Sequence, residues 1–477
     1  MTSRLGRVAL VCLALLIAFT LAAGTAVARL LPKRLALWKI PAVATHTVTG
    51  SPVVLGPASA PTGPPVTPAG LSAALSGTLA LPALGPDPAA LVTSLDTGQV
   101  LLDSGSTRPA TPASTAKLAT AVASLAVLGP GRQLRTTVVS GSGPGQIVLV
   151  GGGDPTLTAG PPPPGSYPRP ASLSALAAAT ARRLHAQHLH AVQLGYDTSL
   201  FSGPDLGPGW PPSYISTGNV TAITALEVDQ GRLTADGQPQ DANDPGNFRP
   251  RSLTPAADAA AAFASYLSRD GITVQGPAKP ATARPGAATI ASVASPPVAQ
   301  IVQWMLIESN NVIAEDLARQ VAIATHRPAT FSGAAAAVMA ADRRLGVTGL
   351  TLVDGSGLSP QDLITPQALV QLVTLAASGR QPGLRPAITG LPVAGFTGTL
   401  APGGSVFGSP GPPASGVVRA KTGNLSRVVT LAGITTAANG QLLAFAFMAD
   451  KVPKGQLNAA GAAIDQLAAK LAGCGCH

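Results

Sequence analysis

With 477 residues, the chain has the length for about three domains and a large core. Charged residues make up 11% and hydrophobic residues 46%, which excludes a chain kept disordered by its own charge, and 3 Cys exclude a disulfide framework. The net charge of +10 is scattered, its densest pairs being Arg182 beside Arg183 and Arg343 beside Arg344 inside Ala-rich helical patterns; with 3% aromatic residues, this excludes nucleic acid as a partner.

Arg4 and Arg7 precede an uncharged run over residues 8–28, and Ala26-Val27-Ala28 has the small-x-small pattern of a signal peptidase site. The run also reaches the ~20 residues a helix needs to span a bilayer. Residues 1–30 are therefore expected to be a signal peptide or a membrane anchor. Either one places the body outside the cytoplasm, in the cell envelope, with membrane contact through this segment only. Residues 31–84 are rich in Pro and Ala, as in Ala58-Ser59-Ala60-Pro61-Thr62-Gly63-Pro64-Pro65. They read as an extended tether that builds no core.

In the body, residues 91–95 read as a strand, Asp96-Thr97-Gly98 as a turn and residues 99–102 as the hairpin partner. Helical spacing follows over 115–128. Residues 146–150 form a short apolar strand that runs into Gly151-Gly152-Gly153-Asp154-Pro155. A helix is expected over 173–188 and a strand over 191–196. His185, His188 and His190 fall at the end of that helix, beside Arg182 and Arg183, where cationic side chains suit the dipole. They read as structural, not as metal ligands. Helices are expected over 255–270 and 298–324, and Thr365-Pro366 caps another that runs to 377. Residues 428–434 and 442–448 flank Asn439-Gly440, a hairpin signal, and an amphipathic helix covers 455–472. The Cys474-Gly475-Cys476-His477 end holds too few ligands for a closed metal site, and is expected to fray, with or without a local disulfide. Strands early and late with helices between indicate an α+β domain whose sheet is assembled from both chain ends. Residues 85–135 and 290–473 make that discontinuous domain, and 136–289 an inserted accessory domain.

The chain lacks a Gly-x-Ser-x-Gly elbow, a His-Glu-x-x-His pair and a Walker loop. Its strongest signal is Pro112-Ala113-Ser114-Thr115-Ala116-Lys117. Ser114 and Lys117, three apart at a helix start, lie on one face. The helix dipole there is expected to lower the Lys117 pKa, so that a neutral amine can take the Ser114 proton. Ser309-Asn310-Asn311 adds a hydroxyl that can relay a proton and an amide, on Asn311, that can orient a peptide. Lys421-Thr422-Gly423 precedes an apolar strand; a fixed cation and hydroxyl there can hold a carboxylate, and Gly423 lets a substrate backbone approach.

Ser-x-x-Lys, Ser-x-Asn and Lys-Thr-Gly in this order mark the penicillin-recognising serine enzymes. Over roughly residues 88–472 the chain resembles the penicillin-binding-protein-4 type of D-alanyl-D-alanine carboxypeptidase. Asp96-Thr97-Gly98, Gly153-Asp154-Pro155-Thr156-Leu157, Ser295-Pro296-Pro297, Asp354-Gly355-Ser356-Gly357-Leu358-Ser359 and Arg419-Ala420-Lys421-Thr422-Gly423 are all similar to that family.

The resemblance implies a β-lactamase-like transpeptidase domain with a smaller domain inserted between the first two motifs. It implies a peptidoglycan stem peptide ending in D-Ala-D-Ala as substrate, β-lactams as covalent inhibitors and no metal or organic cofactor. Ser114 would attack the penultimate D-Ala carbonyl, Lys117 would take its proton, and Ser309 would help protonate the leaving D-Ala. Lys421 and Thr422 would hold the terminal carboxylate. Backbone N–H groups of Ser114 and Asn424 would receive the oxyanion, and Asp154 would lie near the distal amine of the diamino acid. Position 424 is Asn where the family usually has Thr, and the spacing from Ser114 to Ser309 is short for its larger members. The same chemistry serves a carboxypeptidase or an endopeptidase on crosslinks. Two other readings share the motifs. A serine β-lactamase would need a group that deacylates penicillin quickly, and no such Glu can be placed. A silent cell-wall-binding protein would be marked by loss of Ser114 or Lys117, and both are present.

Overall fold

The structure is a computed structural model that describes residues 63–233, 249–403, 407–408 and 411–477. The signal or anchor over 1–30 and the tether up to 62 lie outside the described residues. Among the described residues no helix is long and apolar enough to cross a membrane.

In chain order, helix α1 (Pro68–Leu79) precedes strands β1 (Ala89–Ser94) and β2 (Val100–Ser104) and helix α2 (Lys117–Leu128). Strands β3 (Arg135–Ser140) and β4 (Gln146–Val150), helix α3 (Leu173–Ala186), strand β5 (Ala191–Asp197) and helix α4 (Pro255–Arg269) follow. Next come strands β6 (Thr273–Val274), β7 (Lys279–Pro280) and β8 (Thr289–Ala294). Helices α5 (Val298–Ile307), α6 (Asn311–Ala324) and α7 (Phe331–Arg344) lead to the small pair β9 (Leu350–Thr351) and β10 (Leu363–Ile364), then to helix α8 (Pro366–Ala377). Strands β11 (Arg419–Leu425), β12 (Val428–Thr436) and β13 (Leu442–Ala449) and helix α9 (Leu457–Ala472) close the chain.

The main sheet is antiparallel with order β11-β12-β13-β1-β2, so it does join the two ends of the chain. Helices cover both of its faces, which is why β13 is apolar almost without interruption. Along β13 the side chains alternate. Ala444, Ala446 and Met448 face the core under α2, α5, α6, α7 and α8, while Leu443, Phe445 and Phe447 face α1 and α9. Small side chains on the first face let α8 pack closely on β13. The mixed sheet β6-β5-β4-β3-β8, with β7 also paired to β5, holds its own core against α3 and α4. Residues between β5 and α4 leave that sheet and pack on α6 and α7, where Phe201, Trp210, Val220 and Ile223 meet Val312 and Phe331.

Two expectations are corrected. The stretch 63–84, read as tether, is part of the body. Thr67 caps α1 by accepting from Gly70 N at 3.1 Å, and Leu71, Leu75 and Leu84 are buried. The tail does not fray either, since Thr67 N donates to Cys476 O at 2.8 Å, Ala438 N donates to Cys474 O at 3.2 Å, and a disulfide joins Cys474 to Cys476. The two segments pack on one another and supply each other's backbone partners, which composition alone does not reveal.

Candidate active site

Ser114 sits on a 3₁₀ turn, Ala113–Ala116, that opens directly into α2 at Lys117. Ala113 has φ 48°, a left-handed conformation unusual for a residue with a Cβ. The turn faces strand β11: a Cβ on Gly423 would lie 2.7 Å from Pro112 O and 3.1 Å from Ser114 N. Gly423 is therefore needed for the close approach of the protein's own chain at this turn.

Lys117 is fully buried and its Nζ donates to three acceptors: Ser114 Oγ at 2.9 Å, Asn311 Oδ1 at 2.7 Å and Ser356 O at 2.7 Å. Burial pulls its pKa down to about 7, against the opposing pull of Asp354, Glu315 and Asp362. Desolvation of the amine, not the helix dipole expected from the sequence, is the main cause. A neutral amine keeps two N–H bonds and one lone pair. Asn311 Oδ1 and Ser356 O can only accept, so they take the two N–H bonds and the lone pair is left facing Ser114 Oγ.

The loop that supplies the Ser356 carbonyl lies between β9 and β10 and is held from below by three buried carboxyl groups. Asp354 accepts from Ser356 N, Gly357 N, Ser359 N and Trp210 Nε1 at 2.7–3.1 Å. Glu315 accepts from Gly355 N at 3.0 Å, and Asp362 accepts from Val353 N at 2.7 Å. Burial, with the Asp354 charge next, pushes Asp362 up to about 10 and Glu315 up to about 8. With its N–H groups turned to these carboxyls, the loop presents carbonyls to the other side: Ser356 O to Lys117, and Gly355 O to Thr120 Oγ1 at 2.6 Å.

The long helix expected over 298–324 is two helices, α5 and α6, broken at Glu308-Ser309-Asn310. Ser309 has φ 55°, and Asn310 caps α6 by accepting from Ile313 N at 3.0 Å. The break turns Ser309 Oγ toward Lys421, whose Nζ donates to it at 2.8 Å and to Thr422 O at 2.7 Å. Asn311 uses both ends of its amide inside the protein, since its Nδ2 donates to Asn219 O at 2.8 Å. Its present contacts therefore orient Lys117 and the 219 loop. Burial, then the Lys117 charge, hold Lys421 well below the usual lysine range.

These residues meet at a cleft of about 720 Å³ lined by Ser114, Ser309, Asn311, Thr422 and Asn424. Lys117 and Lys421 lie buried directly behind it. Asp154 does not line this cleft. It is 4% exposed, its Oδ1 accepts from Thr156 N and Thr156 Oγ1, and burial raises its pKa to about 6. The sequence reading missed the walls: Tyr214 and Asn219 from the segment after β5, and Thr399 from the loop before β11. Loop residues carry no periodicity to mark them. His185 Nε2 lies 3.0 Å from Asp270 O, and among the described residues no group of His, Cys, Asp and Glu is arranged to hold a metal ion.

Residues 71–249 and 241–471 match the D-Ala-D-Ala carboxypeptidase 3 (S13) family. Carboxypeptidase DacB of Mycolicibacterium smegmatis is 38% identical over 412 residues, 85% of either chain. A D-alanyl-D-alanine carboxypeptidase of an Actinomadura species is 29% identical over 74% of this chain and 76% of its own. Penicillin binding protein 4 of Haemophilus influenzae superposes with a TM-score of 0.67 at 23% identity, covering 85% of this chain and 98% of that one, which speaks to the fold alone. A second structure of that protein, complexed with a β-lactam, gives a TM-score of 0.61 at 23% identity over 84% and 98% of the two chains.

Proposed function

The chain belongs to the D-Ala-D-Ala carboxypeptidase 3 (S13) family, and from that membership we propose how its residues divide the work of a serine-type D-Ala-D-Ala carboxypeptidase. The substrate is a peptidoglycan stem peptide ending in D-Ala-D-Ala. The observation that carries the reading is the placement of Lys117 Nζ among Ser114 Oγ and two obligate acceptors.

Ser114 O–H gives its proton to the Lys117 lone pair, and Oγ bonds to the carbonyl carbon of the penultimate D-Ala. Charge on the carbonyl oxygen is met by the backbone N–H groups of Ser114 and Asn424. As the C–N bond breaks, Ser309 O–H protonates the departing amine and is itself resupplied from the buried Lys421 side, which donates to it. D-Ala leaves; the Lys117 ammonium passes the proton it took from Ser114 to the depleted Ser309–Lys421 side and is neutral again, and it then takes a proton from the water that attacks the ester and gives it to Ser114 Oγ as the acyl bond breaks. β-Lactams enter the same route as cyclic mimics and stop at the acyl-enzyme; the β-lactam complex of the Haemophilus protein supports this part of the reading. The apolar run over 8–28 supports an envelope location, with the body outside the membrane.

The pH profile follows from the base. Acylation requires neutral Lys117, so its rate rises with pH through about 7 and levels off above it. Stopped-flow acylation from pH 5 to 9 checks this, and a rate that falls as pH rises across that range would assign the proton elsewhere. The activity itself is tested by D-Ala release from a stem pentapeptide. We expect release by the wild type and a loss of about 10⁴-fold or more in Ser114→Ala. Equal release by both would remove Ser114 from the chemistry.

A further inference from the structure

We propose that the accessory sheet carries a second binding site, a groove between its strands and residues 275–284 that takes an acidic sugar, with the oxyanion held by Lys279 and Arg284. The groove shares no lining residue with the catalytic cleft, and its ligand does not depend on the peptidase reading above.

Strand β5 pairs in parallel with β4, β6 and β7, and parallel strands are normally covered on both faces. One face is covered, since Ile147, Leu149, Val192 and Leu194 pack with α3 and α4. The other face sets Gln146 opposite Gln193 and Val148 opposite Gly195, and both glutamines are exposed. The chain leaves β7 beside β5 and crosses this face to reach β8, at the far edge beyond β3. Gly195 lets it pass close over the strands, because a Cβ there would lie 2.7 Å from Ala281 Cβ. Ala281 N donates to Tyr196 O at 2.8 Å, Ala283 N to Asp197 Oδ2 at 2.7 Å and Arg284 Nη2 to Gly141 O at 2.9 Å, so the strap is pinned along its length. The hollow it encloses measures about 320 Å³. That is near the lower bound of roughly 300 Å³ for small-molecule sites, a size for a sugar and not for a folded partner.

The side chains select the ligand. Gln146 Oε1 accepts from Gly143 N at 3.0 Å, and Gln193 Oε1 accepts from Gln146 Nε2 at 3.2 Å. The pair therefore offers a ligand mainly N–H donors. Gln275 adds a third amide, and Lys279 and Arg284 add positive charge. No Asp or Glu is among the described lining residues. Asp197, at the end of β5, is spent on the walls, its Oδ1 accepting from Ser199 N at 2.8 Å and its Oδ2 from the strap. Donors in excess and charge of one sign suit a ring of hydroxyl oxygens that carries a carboxylate or a phosphate. Val148 and Pro277 give the C–H face of such a ring an apolar contact. A nucleic acid fits poorly, because the described lining holds no aromatic side chain and two cations do not make a basic stripe. In a peptidase of the cell wall, a role that does rest on the reading above, the groove holds the sugar chain while the cleft works on the peptide.

Saturation-transfer NMR on the whole protein gives Kd for N-acetylmuramic acid, N-acetylglucosamine 6-phosphate and neutral N-acetylglucosamine. At least one of the acids should bind about 10-fold more tightly than the neutral sugar, the size of one hydrogen bond to a charged group. Preference for the first acid assigns a carboxylate, and preference for the second a phosphate. Replacing both Lys279→Gln and Arg284→Gln should bring the acids to the level of the neutral sugar, and Gln193→Leu should weaken all three. Both variants should keep the wild-type melting temperature and release D-Ala from a soluble stem peptide as the wild type does. Equal binding of acids and neutral sugar by the wild type, no binding at all, or a preference that survives in the double variant would overturn the proposal. None of the binding measurements needs turnover, so they decide the groove even if Ser114 proves not to be the nucleophile.

Discussion

Lys117→Met should lose acylation by benzylpenicillin by about 10²- to 10⁴-fold, the span attributed to a positioned general base, while keeping its fold. The side chain is fully buried and ends in a group whose charged form is disfavoured there, so an apolar side chain of similar length suits the site sterically. What the substitution removes is the one lone pair aimed at Ser114 Oγ. It leaves Asn311 Oδ1 and Ser356 O without their donor, at a cost of about 1–3 kcal/mol each, less than a domain's typical stability. Circular dichroism and thermal melting establish the fold, and stopped-flow fluorescence gives the acylation rate. Acylation at the wild-type rate in a folded Lys117→Met protein would show that the Ser114 proton leaves by another route.

Asp354→Ala has the largest expected effect on stability. The carboxylate accepts four N–H groups, three from its own loop and one from Trp210, and all lie where water does not reach. Its loss leaves four buried donors, and at about 1–3 kcal/mol for each one unsatisfied the total is at least ~4 kcal/mol. A fall in melting temperature on the order of 10 °C is expected. Asp354→Asn should do little better, because an amide turns two donors toward groups that are themselves donors. Activity falls with stability, since the Ser356 carbonyl that orients Lys117 belongs to the same loop. Wild-type melting and acylation in Asp354→Ala would mean that the loop is held by something other than this carboxylate.

The meeting of Ser114 with Lys117 was legible because their spacing is local. Ser114 and Lys117 must be three apart to meet, and Ser309 and Asn311 must flank a turn. The sheet was legible from the apolar runs that became β12 and β13 and from the strand that became β1. The break at Ser309 was not, because apolar spacing continues from α5 into α6 across it, and only the backbone conformation at one residue interrupts the helix. Strands β3 and β8 escaped notice for a related reason: Arg135–Ser140 and Thr289–Ala294 mix Thr, Ser and Ala with few large apolar residues. Helix α1 was hidden in Pro-, Gly- and Ala-rich sequence. Leu71 and Leu75, one turn apart, were the available sign that this stretch had a face to bury. The buried acids Glu315, Asp354 and Asp362 and the wall residue Thr399 come together from separate parts of the chain, so their roles appear only once it is folded.

Intact mass spectrometry after mixing the wild type and Ser114→Ala with benzylpenicillin tests the central claim most directly. A persistent penicilloyl adduct on the wild type alone is the expected result, with Ser114 as the acylated residue. Rapid penicillin hydrolysis without an adduct would instead make the chain a β-lactamase. A folded wild type with neither adduct nor hydrolysis would contradict the account altogether and leave a silent wall-binding protein on the same fold.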